Sequence, residues 1–359
     1  MKDIADKIIA VDLFCGIGGL SYGLRKSGIE VRAGFDSDES CKYAFEANGK
    51  KVFICKDVRE LTGKEINSYY HDAAVKVLVG CAPCQPFSSY TYRQDKQSDH
   101  RWQLIYEFSR LIGEVEPDIV SMENVPQLLN FKAAPVFQDF KDNLKKLGYH
   151  NVWHTIVYAP DYGVPQKRKR LILLASKLGK ISLIEPTHKP EEYVTVRDTI
   201  GSLEKLASGE SSPHDFIHRC SKLSEKNLQR IRQSVPGGSW KRDWNDSLKL
   251  DCHKKDKGKT YVSIYGRMRW DEPSPTMTTL CTGIGNGRFG HPEQDRAISL
   301  REAALLQTFP KKYKFVDEPR NLKVGNISKH IGNAVPPKLG EVIGKSIVEH
   351  LRGHKHGEK

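Results

Sequence analysis

The stretch Val75-Lys76-Val77-Leu78-Val79-Gly80-Cys81-Ala82-Pro83-Cys84-Gln85-Pro86-Phe87-Ser88 decides how the chain is read. Its first five residues form an apolar run of strand length. Gly80, Pro83 and Pro86 then stop the strand and set up a turn. A cysteine just past a strand end is well placed to be a nucleophile, but other chemistries also use C-x-x-C. Half a zinc site needs a second ligand pair, and no second C-x-x-C occurs, so no metal site is expected. A thioredoxin-like redox pair needs a helix, which Pro83-Cys84-Gln85-Pro86 starts poorly. A catalytic thiol and structural cysteines both stay open on this stretch alone.

On either side of this stretch the same pattern recurs. Ile8 to Phe14 reads as a first strand, followed by Gly16-Ile17-Gly18-Gly19-Leu20 and a helix to about Lys26. Val31 to Phe35 is a second strand ending at Asp36, with a helix from Ser37 to about Asn48. Val52 to Ile54 is a third, before Asp57-Val58. Asp118 to Met122 follows Val75–Val79 and ends at Glu123-Asn124-Val125. Strands alternating with helices predict an α/β fold with a parallel, doubly wound sheet. Ligands in such sheets bind at the carboxyl ends of the strands. Phe14 to Gly19, Asp36, Asp57, Cys84 and Glu123 all fall there.

After Leu171–Ala175 the texture changes, and from about 177 to 295 the chain is polar, basic and rich in turn residues. Residues 1–176 are expected to form one domain and 177–295 a second, smaller, irregular one with little helix. Residues 296–359 contain an amphipathic stretch, Leu300 to Phe309, and a last helix, Leu339 to Leu351. Charge follows the same division. The net charge is +13, but residues 1–165 carry −2 and residues 166–359 carry +15. A basic second half suits a polyanion, most simply nucleic acid. No run of 18 apolar residues occurs, which excludes a transmembrane helix. The eight cysteines show no disulfide-framework spacing, which fits a reducing, cytoplasmic setting.

The glycine turn after the first strand suits a nucleotide. Gly16 and Gly18 fit the dinucleotide pattern G-x-G-x-x-G, but Ser21 occupies its third glycine position. Gly19 removes side chain where backbone would approach a ligand. Asp36 suits a ribose diol, and Asp57 could accept from an adenine amino group. An adenosine ligand without a pyrophosphate is implied, and S-adenosylmethionine fits.

Taken together in order, the residues resemble the DNA (cytosine-5) methyltransferases, of the bacterial restriction-modification type. Asp12-Leu13-Phe14-Cys15-Gly16-Ile17-Gly18-Gly19 is similar to the family's cofactor loop, and Pro83-Cys84-Gln85 to its nucleophile motif. Glu123-Asn124-Val125, Gln166-Lys167-Arg168-Lys169-Arg170, Arg301 to Pro310 and Gly332 to Pro337 look like four further motifs. Three positions depart from the family pattern: Ala82 where many members have proline, Asp36 for the commoner glutamate, and Ser37 where some members have an aromatic.

The resemblance implies a Rossmann-like methyltransferase sheet and a target-recognition domain over 177–295. It also implies a C-terminal segment that returns to the catalytic domain. S-adenosylmethionine, leaving as S-adenosylhomocysteine, would lie against Phe14, Gly16, Ile17, Gly18, Gly19, Asp36, Ser37, Asp57, Val58, Pro83, Asn333 and Ala334. Cys84 would attack C6 of a cytosine flipped out of duplex DNA, making C5 nucleophilic. Glu123 would meet N3 and the N4 amine. Arg168, and with less support Arg170, would hold O2. Ser88 to Gln97 would close over the DNA. The basic segments Lys241–Asn245, Lys254–Lys257 and Gly266–Trp270 would meet phosphates. Compact size suggests a modification enzyme paired functionally, without a stable complex, with a restriction endonuclease, and a monomer is the simplest expectation. Methylation of RNA and a catalytically silent DNA-binding relative are the alternatives.

Overall fold

The computed structural model describes residues 7–49, 51–83, 100–256 and 258–356. Cys84 and the stretch Ser88 to Gln97 lie outside the described residues. Two compact units are formed. The first comprises residues 1–162, 169–187 and 334–359; the second comprises 163–168 and 188–333.

Nine strands are described: β1 Ile8–Leu13, β2 Glu30–Asp36, β3 Val52–Cys55, β4 Val75–Gly80, β5 Ile119–Asn124, β6 Asn151–Tyr158, β7 Gln166–Lys167, β8 Lys169–Ser176 and β9 Ser274–Pro275. Unit 1 holds a seven-stranded sheet in the order β3-β2-β1-β4-β5-β8-β6. Every residue of β1 and of β5 is buried. Their side chains alternate between two cores. Ile9, Val11 and Leu13 pack on one face with Phe108, Phe140 and Leu171, and Ile8 and Ala10 pack on the other with Leu20, Leu24 and Ile343.

The sheet is not wholly parallel. β1 to β5 pair in parallel, but β8 runs antiparallel to both β5 and β6. The connection from β6 explains the reversal: residues 159–168 carry only the short turn Ala159–Tyr162 and β7, too little for a parallel crossover. The reversal is what brings Arg170 level with the end of β5, since Asn124 pairs with Leu171. Strand order changes direction between β1 and β4, which opens a crevice at their carboxyl ends.

The helix Pro337–His356 lies against the first helix, Gly19–Lys26. Glycine makes this approach feasible. A Cβ on Gly23 would fall 2.3 Å from the Glu341 amide nitrogen and the Pro337 carbonyl oxygen. Ser27 Oγ donates to the Glu341 carbonyl across the same contact, at 2.8 Å.

Unit 2 is built differently. Its described helices are short, and its apolar clusters are small: one around Ile231, Ile284 and Ala297, another around Trp240, Trp244 and Leu248. Buried arginines supply much of the cohesion. Arg296 makes a bidentate pair with Glu302, both contacts 2.7 Å and both side chains almost wholly buried. Arg267 donates to the carbonyls of Ile231, Ser234, His291 and Gln294 and pairs with Asp295. This corrects one expectation. Within Gly266–Trp270, Arg267 is an internal strut, because its donors are consumed by carbonyls of its own unit, and only Arg269 is exposed.

Candidate active site

The first half of the site is the turn after β1. Phe14, Gly16 and Gly18 all adopt positive φ, at 57°, 49° and 82°. Glycine takes this conformation without strain, whereas Phe14 holds it at a cost. The turn is pinned on both sides, by Cys15 N–H to the Phe35 carbonyl at 3.1 Å and Gly18 N–H to the Cys15 carbonyl at 2.9 Å. Asp36, at the end of β2, accepts from Gly16 N–H at 2.8 Å through one oxygen and from Asp38 N–H at 2.9 Å through the other. Two backbone amides thus fix its orientation. Space in front of Gly16 is open among the described residues, none of which a Cβ there would meet within 4 Å. A fixed acid beside an open glycine turn fits the adenosine end of S-adenosylmethionine.

Beneath this turn Asp12 is fully buried. One oxygen accepts from Ser21 Oγ at 2.6 Å, and the other makes no hydrogen bond among the described residues. Burial is the largest influence on its carboxyl and raises it to about 7. Ser21 is the residue that departs from the dinucleotide pattern. The structure gives it a purpose, since a glycine there would leave Asp12 without this donor.

Asp57 caps the turn Val58–Glu60, accepting from Arg59 N–H at 2.9 Å and pairing with the Arg59 guanidinium at 2.6 Å. That hydrogen bond holds its carboxyl below the usual range. Ser37, next in the chain after Asp36, is exposed, whereas the Val58 side chain is buried in the core with Leu61 and Leu111. Any contact from Val58 to a ligand would therefore come from its backbone. Asn333 ends the helix Val324–Asn333 of unit 2 and is exposed; Ala334 begins the return segment of unit 1.

The second half of the site joins the ends of β4 and β5. Cys81 N–H donates to the Leu13 carbonyl at 3.3 Å, so the chain after β4 stays locked to β1. Asn124 Nδ2 donates to the Ala82 carbonyl at 3.2 Å, clipping the approach to Pro83 onto β5. Glu123 is 5% exposed. Its Oε2 accepts from the Cys81 thiol at 2.6 Å. Its Oε1 lies 2.8 Å from Arg170 Nε, a charge contact in which the N–H is not aligned for a hydrogen bond. Arg170 is itself steadied by Nη1 donating to the Lys169 carbonyl at 2.8 Å.

Glu123 is therefore met by Arg170. Arg168 belongs to unit 2 and is 2% exposed; its Nη1 reaches Gln166 Oε1 at 3.4 Å and the Met277 carbonyl at 3.3 Å. Gln166 also accepts from Met277 N–H at 2.8 Å, and β7 pairs with β9 beside it. The first two polar residues of Gln166-Lys167-Arg168-Lys169-Arg170 that point inward thus hold unit 2 together. Sequence reasoning gave no role to Cys81, and the only signal for one was its place one residue past a strand end.

The sheet order, with its single antiparallel strand between β5 and β6, is that of an α/β methyltransferase fold. Comparison with known proteins makes this specific. The family described as C-5 cytosine-specific DNA methylase matches residues 8–349, and the chain belongs to that family. It is an enzyme of the DNA (cytosine-5) methyltransferase class. The type II methylase M.HgiDII of Herpetosiphon aurantiacus is 55% identical over 343 residues, 96% of each chain. The type II methyltransferase M.Eco47II of Escherichia coli is 32% identical over 346 residues, 95% of this chain and 79% of that protein. In fold, the chain is similar to the Entamoeba histolytica methyltransferase EhMeth, with a TM-score of 0.67 at 17% identity over 96% of this chain and 99% of that one.

Proposed function

We propose that this protein transfers a methyl group from S-adenosylmethionine to C5 of a cytosine flipped out of a short duplex DNA site. The observation that carries the reading is the contact of the buried Glu123 with the half-buried Arg170, at the end of β5 next to the strand end that leads into Pro83-Cys84-Gln85. C5 of cytosine is a weak nucleophile. Attack by the Cys84 thiolate on C6 forms a C–S bond and pushes the ring electrons towards N3 and C5. Glu123, in its acid form, donates to N3 through one oxygen and accepts from the N4 amine through the other, which also distinguishes cytosine from thymine. Arg170, which already faces the glutamate, is better placed than Arg168 to meet the adjacent O2. S-adenosylmethionine, held by the Phe14–Gly19 turn and Asp36, supplies an electrophilic methyl. C5 takes that methyl, then loses its proton to a base, and the C–S bond breaks to release Cys84.

Unit 2 would carry the duplex. Around Gly237-Gly238 three guanidiniums converge. A Cβ on Gly237 would fall 1.9 Å from Arg269 Nε, one on Gly238 would fall 2.8 Å from Arg242 Nη2, and Arg288 donates to the Gly238 carbonyl. Burial and then the neighbouring Arg269 lower the Arg288 guanidinium below its usual value. Two of the three are already paired, Arg242 with Asp243 at 2.8 Å and Arg269 with Glu272 at 2.7 Å, so phosphates or guanine edges would compete with these acids for the guanidiniums. The relatives' type II names support a modification enzyme; a cytoplasmic monomer that works alongside a restriction endonuclease is the simplest form of that reading.

Labelled methyl transfer to duplex DNA tests the reading in wild type, Cys84→Ser and Arg170→Ala. The expected result is transfer by wild type, none by Cys84→Ser, and about a hundredfold lower kcat for Arg170→Ala. Undiminished transfer by Cys84→Ser, or transfer by wild type to RNA but not DNA, would refute it.

A further inference from the structure

We infer that Cys81 is a positioning residue for Glu123, its thiol fixing the orientation in which the carboxylate meets the base. The inference rests on the methyl-transfer reading above.

Geometry makes the case. Cys81 is the first residue after β4, and its backbone is held by the 3.3 Å bond from its N–H to the Leu13 carbonyl. The next residue is held as well, through Asn124 on the Ala82 carbonyl. With the backbone fixed on both β1 and β5, the Cys81 side chain has a definite reach. Its Sγ lies 2.6 Å from Glu123 Oε2 and 3.4 Å from the Glu123 carbonyl oxygen. Arg170 lies on the other carboxylate oxygen, 2.8 Å away. The two oxygens are thus held from opposite sides, one by a neutral donor and one by a cation.

This matters because Glu123 has two tasks that need its carboxylate in one plane. One oxygen must face ring N3 and the other the N4 amine, within hydrogen-bond distance of both. Rotation about the terminal torsion of a glutamate is soft and broad, so burial alone does not select the plane. A charge contact to Arg170 that is not aligned as a hydrogen bond leaves that rotation weakly defined. The thiol on Oε2 supplies the second point. Oε2 has a second lone pair, so it can accept from the incoming amine while the thiol still holds it. Cys81 acts through Glu123 and takes no part in bond making.

The test compares wild type, Cys81→Ala and Cys81→Ser on duplexes carrying the mapped target with either dC or dU at the methylated position. Cys81→Ala is expected to lower kcat about tenfold, as a misplaced positioning contact does, with KM for DNA and cofactor unchanged. It should also narrow the preference for dC over dU, which a loss of packing alone would not do. Cys81→Ser keeps a donor and should recover most of both. Wild-type kcat and dC preference in Cys81→Ala, or a Cys81→Ser as impaired as Cys81→Ala, would overturn the inference. Thermal melting controls for folding. If Cys81→Ala melts early, the isosteric pair Cys81→Thr and Cys81→Val carries the same comparison of donor against no donor. Failure of the underlying reading is distinguishable, because wild type itself would then not methylate DNA, and this inference would fall with it.

Discussion

Asp12 is a residue whose chemistry is decided by depth. A carboxyl with a folded value of about 7 and an unfolded value near 4 binds a proton in the folded state that the unfolded state has lost. Between about pH 4 and pH 7 its contribution to stability therefore falls as pH rises, by at most about 1.4 kcal/mol per pH unit. Burial pushes His291 the other way, down to about 4, so its contribution rises over part of the same range. The two are separated by difference. Urea unfolding of wild type and Asp12→Asn from pH 4 to pH 8 should show the wild type losing ground to the variant as pH rises. A difference that stays flat across the range would show that Asp12 does not titrate there. Nothing in Asp12-Leu13-Phe14 announces this acid as buried, because the pattern of a strand end looks the same whether its acid faces solvent or core. The left-handed conformation of Phe14 was likewise illegible, since only glycine advertises positive φ.

Among the elements, the contact between the helices Gly19–Lys26 and Pro337–His356 ties the C-terminus to the cofactor turn. Gly23 is the closest point. Gly23→Ala would place a methyl 2.3 Å from backbone atoms of the partner helix, where nothing flexible can yield. The expected cost is about 1–3 kcal/mol, with the first helix displaced from its partner. Calorimetry should show a lower Tm, and methyl-transfer kinetics a higher KM for S-adenosylmethionine with kcat little changed. An unchanged Tm would mean that the helices separate freely. The elements of the first half were readable because each has a strong local signal: an apolar run, a glycine turn, then an amphipathic helix. The direction of β8 was not, because Leu171-Ile172-Leu173-Leu174 is equally apolar in either sense. The length of the preceding connection, not the strand itself, makes it antiparallel.

Across the molecule as a whole, the charge of residues 166–359 has two destinations. Arg168, Arg230, Arg267, Arg296 and Arg301 are buried, so the surplus is not all available to a polyanion. Arg242, Arg269 and Arg288 around the Gly237-Gly238 turn are the proposed DNA contacts, the first two in competition with Asp243 and Glu272. Binding to duplex DNA should weaken steeply from about 50 to about 200 mM salt. Replacing Arg269 or Arg288 with alanine should reduce the slope of log affinity against log salt by about one for each phosphate that the side chain no longer neutralises. Fluorescence anisotropy across a salt series measures this. An unaltered slope with relaxed site preference would instead assign these arginines to base edges.

The class of the protein could be read from its residues in order, because the family's motifs are local: a glycine turn, a Pro-Cys-Gln run, Glu123-Asn124-Val125 and a basic run each keep their identity without knowledge of what lies opposite. The alternation of strands and helices was legible for the same reason, since it rests on periodicity within single segments. Partners were a matter for the folded chain. That Arg170 meets Glu123 while Arg168 is spent inside unit 2, that Cys81 rests on the same carboxylate, and that Ser21 supports Asp12 all depend on which strands become neighbours. Those neighbours are set by burial of two faces of one sheet, a property of the whole chain that no single stretch contains.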